Sequence, residues 1–196
     1  MDRADINELC YITPIANVPS ILQHGILSNN LVARLAHRSV AMPEIQACRT
    51  NKRIPGAGHL HDYANLYFDA HNPMLSKVRQ HNDTICVLRI DVALLDLSGV
   101  IIADRNASSD YARFYPVDQG LAAIERDKVL AKYWTHPVNK YEEWEHKSIK
   151  CSEILIPEKI EPQYILGAYV ANQAALAAFH KLSIELTVEI RSGIFF

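Results

Sequence analysis

The chain has 196 residues, 49% hydrophobic and 21% charged, with a net charge of −2. That length and composition predict one globular domain, residues 1–196, with a single sizeable core, and the near-neutral charge excludes a global basic field for nucleic acid or membrane surfaces. No apolar run approaches the roughly 18 residues of a membrane span, and the polar start Met1-Asp2-Arg3-Ala4-Asp5 is unlike a secretory signal, so a cytoplasmic protein with no membrane partner is expected.

In chain order, Glu8 to Thr13 reads as a strand. Ala16 to Gly25 reads as a short helix, capped by Asn17 and stopped by Gly25 in a left-handed conformation. A polar segment from Ser28 to Arg38 follows. Pro43 to Arg53 is a second candidate helix with Ile45 on its apolar side. Ile54-Pro55-Gly56-Ala57-Gly58 is a flexible link and not a phosphate loop, because it lacks the following Lys-Ser/Thr or a third Gly. His61 to Met74 is the richest stretch: a strand from Asn65 to Asp69, a break at His71, and a helix entered at Asn72-Pro73. Tyr63 and Tyr67, flanked by His61 and His71, suit either the wall of a pocket for a flat ring or plain strand packing. Strands are expected over Thr84–Asp91, Val100–Ala103, Ser152–Ile156, Tyr164–Val170 and Ser183–Ile190. Helices are expected over Asp118–Trp134 and, after an Asn172 cap, over Gln173–Leu182. About six strands that do not alternate regularly with helices point to a mixed α+β fold and not to a doubly wound sheet.

Four cysteines, Cys10, Cys48, Cys86 and Cys151, are widely separated. Cys10, Cys86 and Cys151 sit in apolar strand contexts and read as reduced, buried thiols. No sequence context activates a thiol. Of the nine histidines, His59 and His61 are the close pair, and no acid or Cys stands beside them at a zinc spacing, so no metal site is expected.

Two further features carry chemistry. Residues 31–60 hold Arg34, Arg38, Arg49, Lys52 and Arg53 against a single acid, Glu44, a local excess of +4. Such a run is either a solvated surface or a phosphate-binding one, since Arg forks match phosphate oxygens. Glu153 is a lone acid in the apolar run Cys151 to Ile156. Strand alternation puts it on the face of Leu155. There it stands at an edge facing water or in a cleft, where a carboxylate can stabilise developing positive charge.

Taken together the chain resembles the DarT family of NAD-dependent DNA ADP-ribosyltransferase toxins. Five blocks carry the resemblance, in the same order: Tyr11-Ile12-Thr13 with Asn17 to Leu22; Ile45 to Arg49 with Ile54-Pro55; Leu60 to Tyr63, Tyr67-Phe68 and Asn72 to Leu75; Asp104 to Ala107 with Ala112 to Tyr115; and Cys151 to Ile156. The resemblance implies an ADP-ribosyltransferase fold, a split mixed or antiparallel β-structure with flanking helices around an NAD cleft. It implies transfer of ADP-ribose from NAD to a base of single-stranded DNA, guanine or thymine, with Arg49 and Glu153 catalytic. NAD is then held by Tyr11, Ile12, Thr13, Asn17, Ile21, Arg49 and Tyr67, with Phe68 adding ring packing. DNA is met by Arg49, Arg53, His61, Tyr63 and Met74. Tyr11 and Pro14 stand where many relatives carry histidine, a divergence that leans towards guanine. The family also implies a cognate antitoxin of ADP-ribosylglycohydrolase, macrodomain or NADAR type. An ADP-ribosyltransferase of this fold acting on RNA or protein, or a silent NAD- or nucleic-acid-binding module, are the alternatives.

Overall fold

A computed structural model describes residues 1–33 and 43–196, with the side chains of residues 43–45 also left out. The expectations for Arg34, Arg38 and the side chain of Ile45 fall outside the described residues.

In order, the elements are β1 (Leu9–Pro14), α1 (Val18–His24), β2 (Ile26–Leu27), α2 (Asn29–Val32), α3 (Pro43–Thr50), β3 (Tyr63–Tyr67), α4 (Pro73–Lys77), β4 (Ile85–Ile90), β5 (Ile101–Ala103) and β6 (Phe114–Pro116). They continue as α5 (Val117–Ala123), α6 (Arg126–Val129), α7 (Lys140–Lys150), β7 (Glu153–Pro157), β8 (Lys159–Ile160), β9 (Ile165–Val170), α8 (Gln173–His180) and β10 (Val188–Ile190). Among the described residues, eight strands form one sheet in the order β10-β9-β4-β1-β3-β7-β5-β6, and β2 pairs with β8 apart from it. The pairs are antiparallel except β9 with β10. The mixed α+β architecture is as expected, but about six strands was too few: β2, β6 and β8 are two or three residues long, too short to show a period of two.

Several local signals worked through named hydrogen bonds. Asn72 caps α4 by accepting from the Leu75 amide at 3.0 Å, and Asn172 caps α8 by accepting from Ala175 at 3.0 Å. Gly25 ends α1 at φ +86. A side chain there would also lie 2.3 Å from the Ile160 carbonyl oxygen, so glycine is required twice over. Asn17 does not cap α1; its amide donates to Thr13 Oγ1 at 3.3 Å. The long helix expected over Asp118–Trp134 breaks into α5 and α6, because Ile124 turns extended (φ −68, ψ 125) and buries its side chain in the core. The last strand is only Val188–Ile190.

The decisive feature is a seam in the sheet. β1 pairs with β4 at six positions and β3 with β7 at five, but β1 meets β3 only at Cys10↔Tyr67. Beyond that one pair the two halves part. One face of the sheet packs Leu66, Leu88, Ile102 and Ile154 under α1, α5 and α8. The other carries a row at one register level: Arg89, Cys10, Tyr67, Glu153 and Ala103.

Candidate active site

Where the halves part, a cleft of about 310 Å3 opens, within the range usual for small-ligand sites. β1 contributes Tyr11, Ile12 and Thr13 to it; α1 and the turn before it contribute Asn17 and Ile21; β3 and the turn before it contribute His61, Tyr63 and Tyr67; α4 contributes Met74. All of these were singled out in the sequence. Arg53 does not reach the cleft: it is exposed and forms an isolated β-bridge with His59. Phe68 points away into the main core, because it follows Tyr67 and alternation sends it to the opposite side. His71 lies outside the cleft, stacked on Phe196 with ring centres 4.2 Å apart.

Arg49, in the last turn of α3, and Glu153, at the start of β7, meet at the foot of the cleft. Arg49 Nη1 donates to both carboxylate oxygens (3.0 and 3.1 Å) and Nη2 donates to Oε2 at 3.0 Å. The Ala107 amide donates to Oε1 at 2.9 Å. Glu153 has no exposed surface and Arg49 has 6%, so the guanidinium covers the carboxylate and itself forms the cleft wall. This planar, two-pronged pairing is what arginine makes and lysine cannot.

The electrostatics follow. Burial opposes the charge on Arg49, but Glu153, by charge and hydrogen bonds, outweighs it and holds the guanidinium above the ordinary arginine range. Burial, then the Glu153 charge, pushes the Tyr67 phenol well up. Burial pushes Tyr11 up to about 12. Burial and then the Arg49 charge push His61 below the usual imidazole range. His61 Nε2 is buried with no hydrogen-bond partner among the described residues. An orphan of that kind costs about 1–3 kcal/mol, which a bound ligand would relieve. Arg49 is thus a fixed, buried cation in the cleft wall beside rings and the His61 imidazole, with Lys77 of α4 also lining the cleft. Burial also lifts Cys10 and Cys151 to about 12, which leaves them unreactive. Among the described residues no cluster of His, Cys, Asp or Glu is placed to hold a metal, and no helix is long and apolar enough to cross a membrane.

Four contributors were given no role in the site by the sequence reading. Ala107, whose amide holds Glu153, sits in the Asp104 to Ala107 block, which carried the resemblance but no residue role. Asn106 and Cys151 line the cleft. Ser152 anchors the entry to β7, its hydroxyl lying 2.7 Å from the Asp104 carbonyl and 2.6 Å from that of Ile149. No periodic signal marks such contacts.

A family model described as "ssDNA thymidine ADP-ribosyltransferase, DarT" matches residues 10–196. The chain belongs to the DarT family. It is 29% identical over 181 residues to a DNA ADP-ribosyl transferase–DNA ADP-ribosyl glycohydrolase fusion protein of Thermosipho africanus (strain H17ap60334), covering 89% of this chain and 45% of that one. The chain therefore spans about half the length of that curated relative. It superposes on T. africanus DarTG, solved in complex with ADP-ribose, with a TM-score of 0.81 at 25% identity, over 96% of this chain and 51% of that one. On Thermus sp. 2.9 DarT, solved with ADP-ribosylated single-stranded DNA, the TM-score is 0.81 at 24% identity, over 98% and 97%. The split sheet is thus the DarT fold.

Proposed function

We propose that residues 1–196 act as one domain that transfers ADP-ribose from NAD to a base of single-stranded DNA, guanine or thymine. The observation that carries this reading is the Arg49–Glu153 fork at the foot of the seam cleft, in a chain of this family.

The chemistry fits these residues. As the nicotinamide–ribose bond of NAD breaks, the ribose C1′ gains oxocarbenium character, as in glycoside hydrolysis. A ring or exocyclic nitrogen of the base bonds to C1′ and releases its proton to solvent water, and nicotinamide leaves with the electron pair of the broken C1′–N bond. Glu153 stabilises that cation and accepts a hydrogen bond from a ribose hydroxyl. For this Arg49 must yield one carboxylate edge, while the Ala107 amide keeps Oε1 in place. Arg49, held charged, is a positioner of phosphate or base and not a proton acceptor. Tyr11, Ile12, Thr13, Asn17, Ile21 and Tyr67 hold NAD along the β1 side. His61, Tyr63 and Met74 face the target base, and Arg53 meets phosphates outside the cleft. NAD serves as co-substrate, with no metal. The protein works in the cytoplasm as a toxin, countered by an antitoxin of ADP-ribosylglycohydrolase, macrodomain or NADAR type. A relative that carries a glycohydrolase on the same chain supports that pairing.

The test is a transfer assay with labelled NAD and four single-stranded oligonucleotides, each lacking one base. Label is expected on three of the four, lost with the target base and lost in Glu153→Ala. Label on RNA or protein but on no DNA would reassign the acceptor. No NAD binding would sink the reading.

A further inference from the structure

Of the three described cations in the basic run of residues 31–60, Arg53 is exposed and the other two are paired. Arg49 is committed to Glu153. Lys52 is tied to Asp110 at 3.2 Å and to the Ser109 carbonyl at 2.8 Å. A basic surface exists elsewhere. A recess of about 500 Å3 adjoins the cleft, with Pro73 and Lys77 of α4 bordering both. Its lining holds Lys77, Arg79, Lys132 and Lys147 and no Asp or Glu. Lys147 is neutralised by Glu143 at 2.6 Å. The other three have no ion-pair partner among the described residues; Arg79 donates only to the Ser76 carbonyl, at 3.3 Å.

Rings complete the recess. Phe196 is 40% exposed, stacks on His71 and meets Trp134 edge-on with centres 5.6 Å apart. Tyr133 is 71% exposed, with the Lys132 ammonium 5.4 Å from its ring centre. Unpaired cations repel one another, and here three are drawn from two distant segments in a chain of net charge −2. Their natural counterpart is a polyanion. An acidic peptide would satisfy the cations but leave the open ring faces idle. A single strand of nucleic acid uses both, phosphates on the cations and bases on the rings.

We propose that the recess formed by Lys77, Arg79, Lys132 and Tyr133 binds the single-stranded DNA that flanks the target base. The strand passes over α4 from the cleft, so Lys77 contacts the phosphate nearest the reacting base and Arg79 and Lys132 contact those beyond. This rests on the transferase reading for the identity of the polyanion.

The test compares the wild type with Arg79→Gln/Lys132→Gln and with Tyr133→Ala, all at exposed positions outside the cleft. A labelled long oligonucleotide and a short one holding only the target base and its neighbours are titrated without NAD at several salt concentrations. In the double variant affinity for the long strand should fall about tenfold, and its salt slope should shrink by about one. Tyr133→Ala should lose about tenfold with the slope unchanged. Binding of the short strand should not move, nor should consumption of NAD with the short strand as acceptor in a separate assay. Equal affinity and slope in variant and wild type would overturn the proposal, as would tighter binding of polyglutamate than of DNA. Because binding is read without NAD, a protein that grips the long strand through these residues yet labels no DNA keeps this site and loses the transferase reading.

Discussion

Two buried ion pairs lie close together in this protein, and they differ instructively. Arg49–Glu153 joins α3 to β7, and Lys150–Asp69 joins the end of α7 to the turn after β3. Both cations are almost wholly buried, at 7% and 0% side-chain exposure. Lys150 is enclosed, donating to Asp69 and to the Val129 carbonyl at 2.7 Å, so it pins α6 and α7 to the β3–α4 turn. Arg49 lines the cleft and has five N–H donors, more than Glu153 can use, so it can turn towards a ligand without leaving its charge bare. Burial of a charge therefore marks the need for a partner. Access to a cleft, with donors to spare, is what marks a site of chemistry.

The sharpest break between the two pairs is Glu153→Gln. Keeping the shape but losing the charge should lower transfer about a thousandfold, roughly 4 kcal/mol of barrier, with the protein still folded by circular dichroism. A fall of less than tenfold would remove Glu153 from the chemistry. At the other pair the effect should appear in stability instead. Asp69→Asn strands a fully buried ammonium and should cost about 3 kcal/mol, whereas Lys150→Met leaves a carboxylate that reaches water and should cost about 1–2 kcal/mol. Denaturant melts would show that order, and equal costs would mean that Lys150 escapes to solvent.

An uncharged defect on the cleft wall separates charge from shape. Gly25→Ala, with its left-handed backbone and its 2.3 Å approach to Ile160, should lose about 1–2 kcal/mol of stability. Transfer per folded molecule should stay within severalfold of wild type, and a collapse like that of Glu153→Gln would argue that cleft shape, not the fork, governs the rate.

The smallest effect concerns pH. His146 is bonded to His136 at 2.9 Å and to the Lys128 carbonyl at 3.0 Å. Burial first, then the neighbouring His136, lowers its pKa, as burial and Arg49 lower that of His61. The unfolded chain then takes up these protons first, so stability is complete above the unfolded histidine value near pH 6.5 and declines as pH falls through it. Melting temperature should drop on acidification, and less so in His146→Gln. An identical drop in that variant would place the sensitivity elsewhere.

What the sequence determined by itself was local. Asn72-Pro73 starts α4 and Gly25 stops α1 because capping bonds and backbone angles act within a few residues. The lone Glu153 in an apolar strand, and Arg49 in its motif, stood out in the sequence, and the structure pairs them beside the cleft. The tertiary structure decided the rest. Arg49 and Glu153 are 104 positions apart, and what brings them together is the register of β3 on β7 and the placing of α3 over it. The cleft exists because β1 and β3 keep a single pair, which no periodicity encodes. Among the described residues of 31–60, Arg49 and Lys52 found carboxylates and Arg53 stays exposed outside the cleft, while the unpaired cations of residues 77, 79 and 132 came together through packing. A charge's neighbours along the chain are set by covalent order, but its energy is set by neighbours in space, and only folding supplies those.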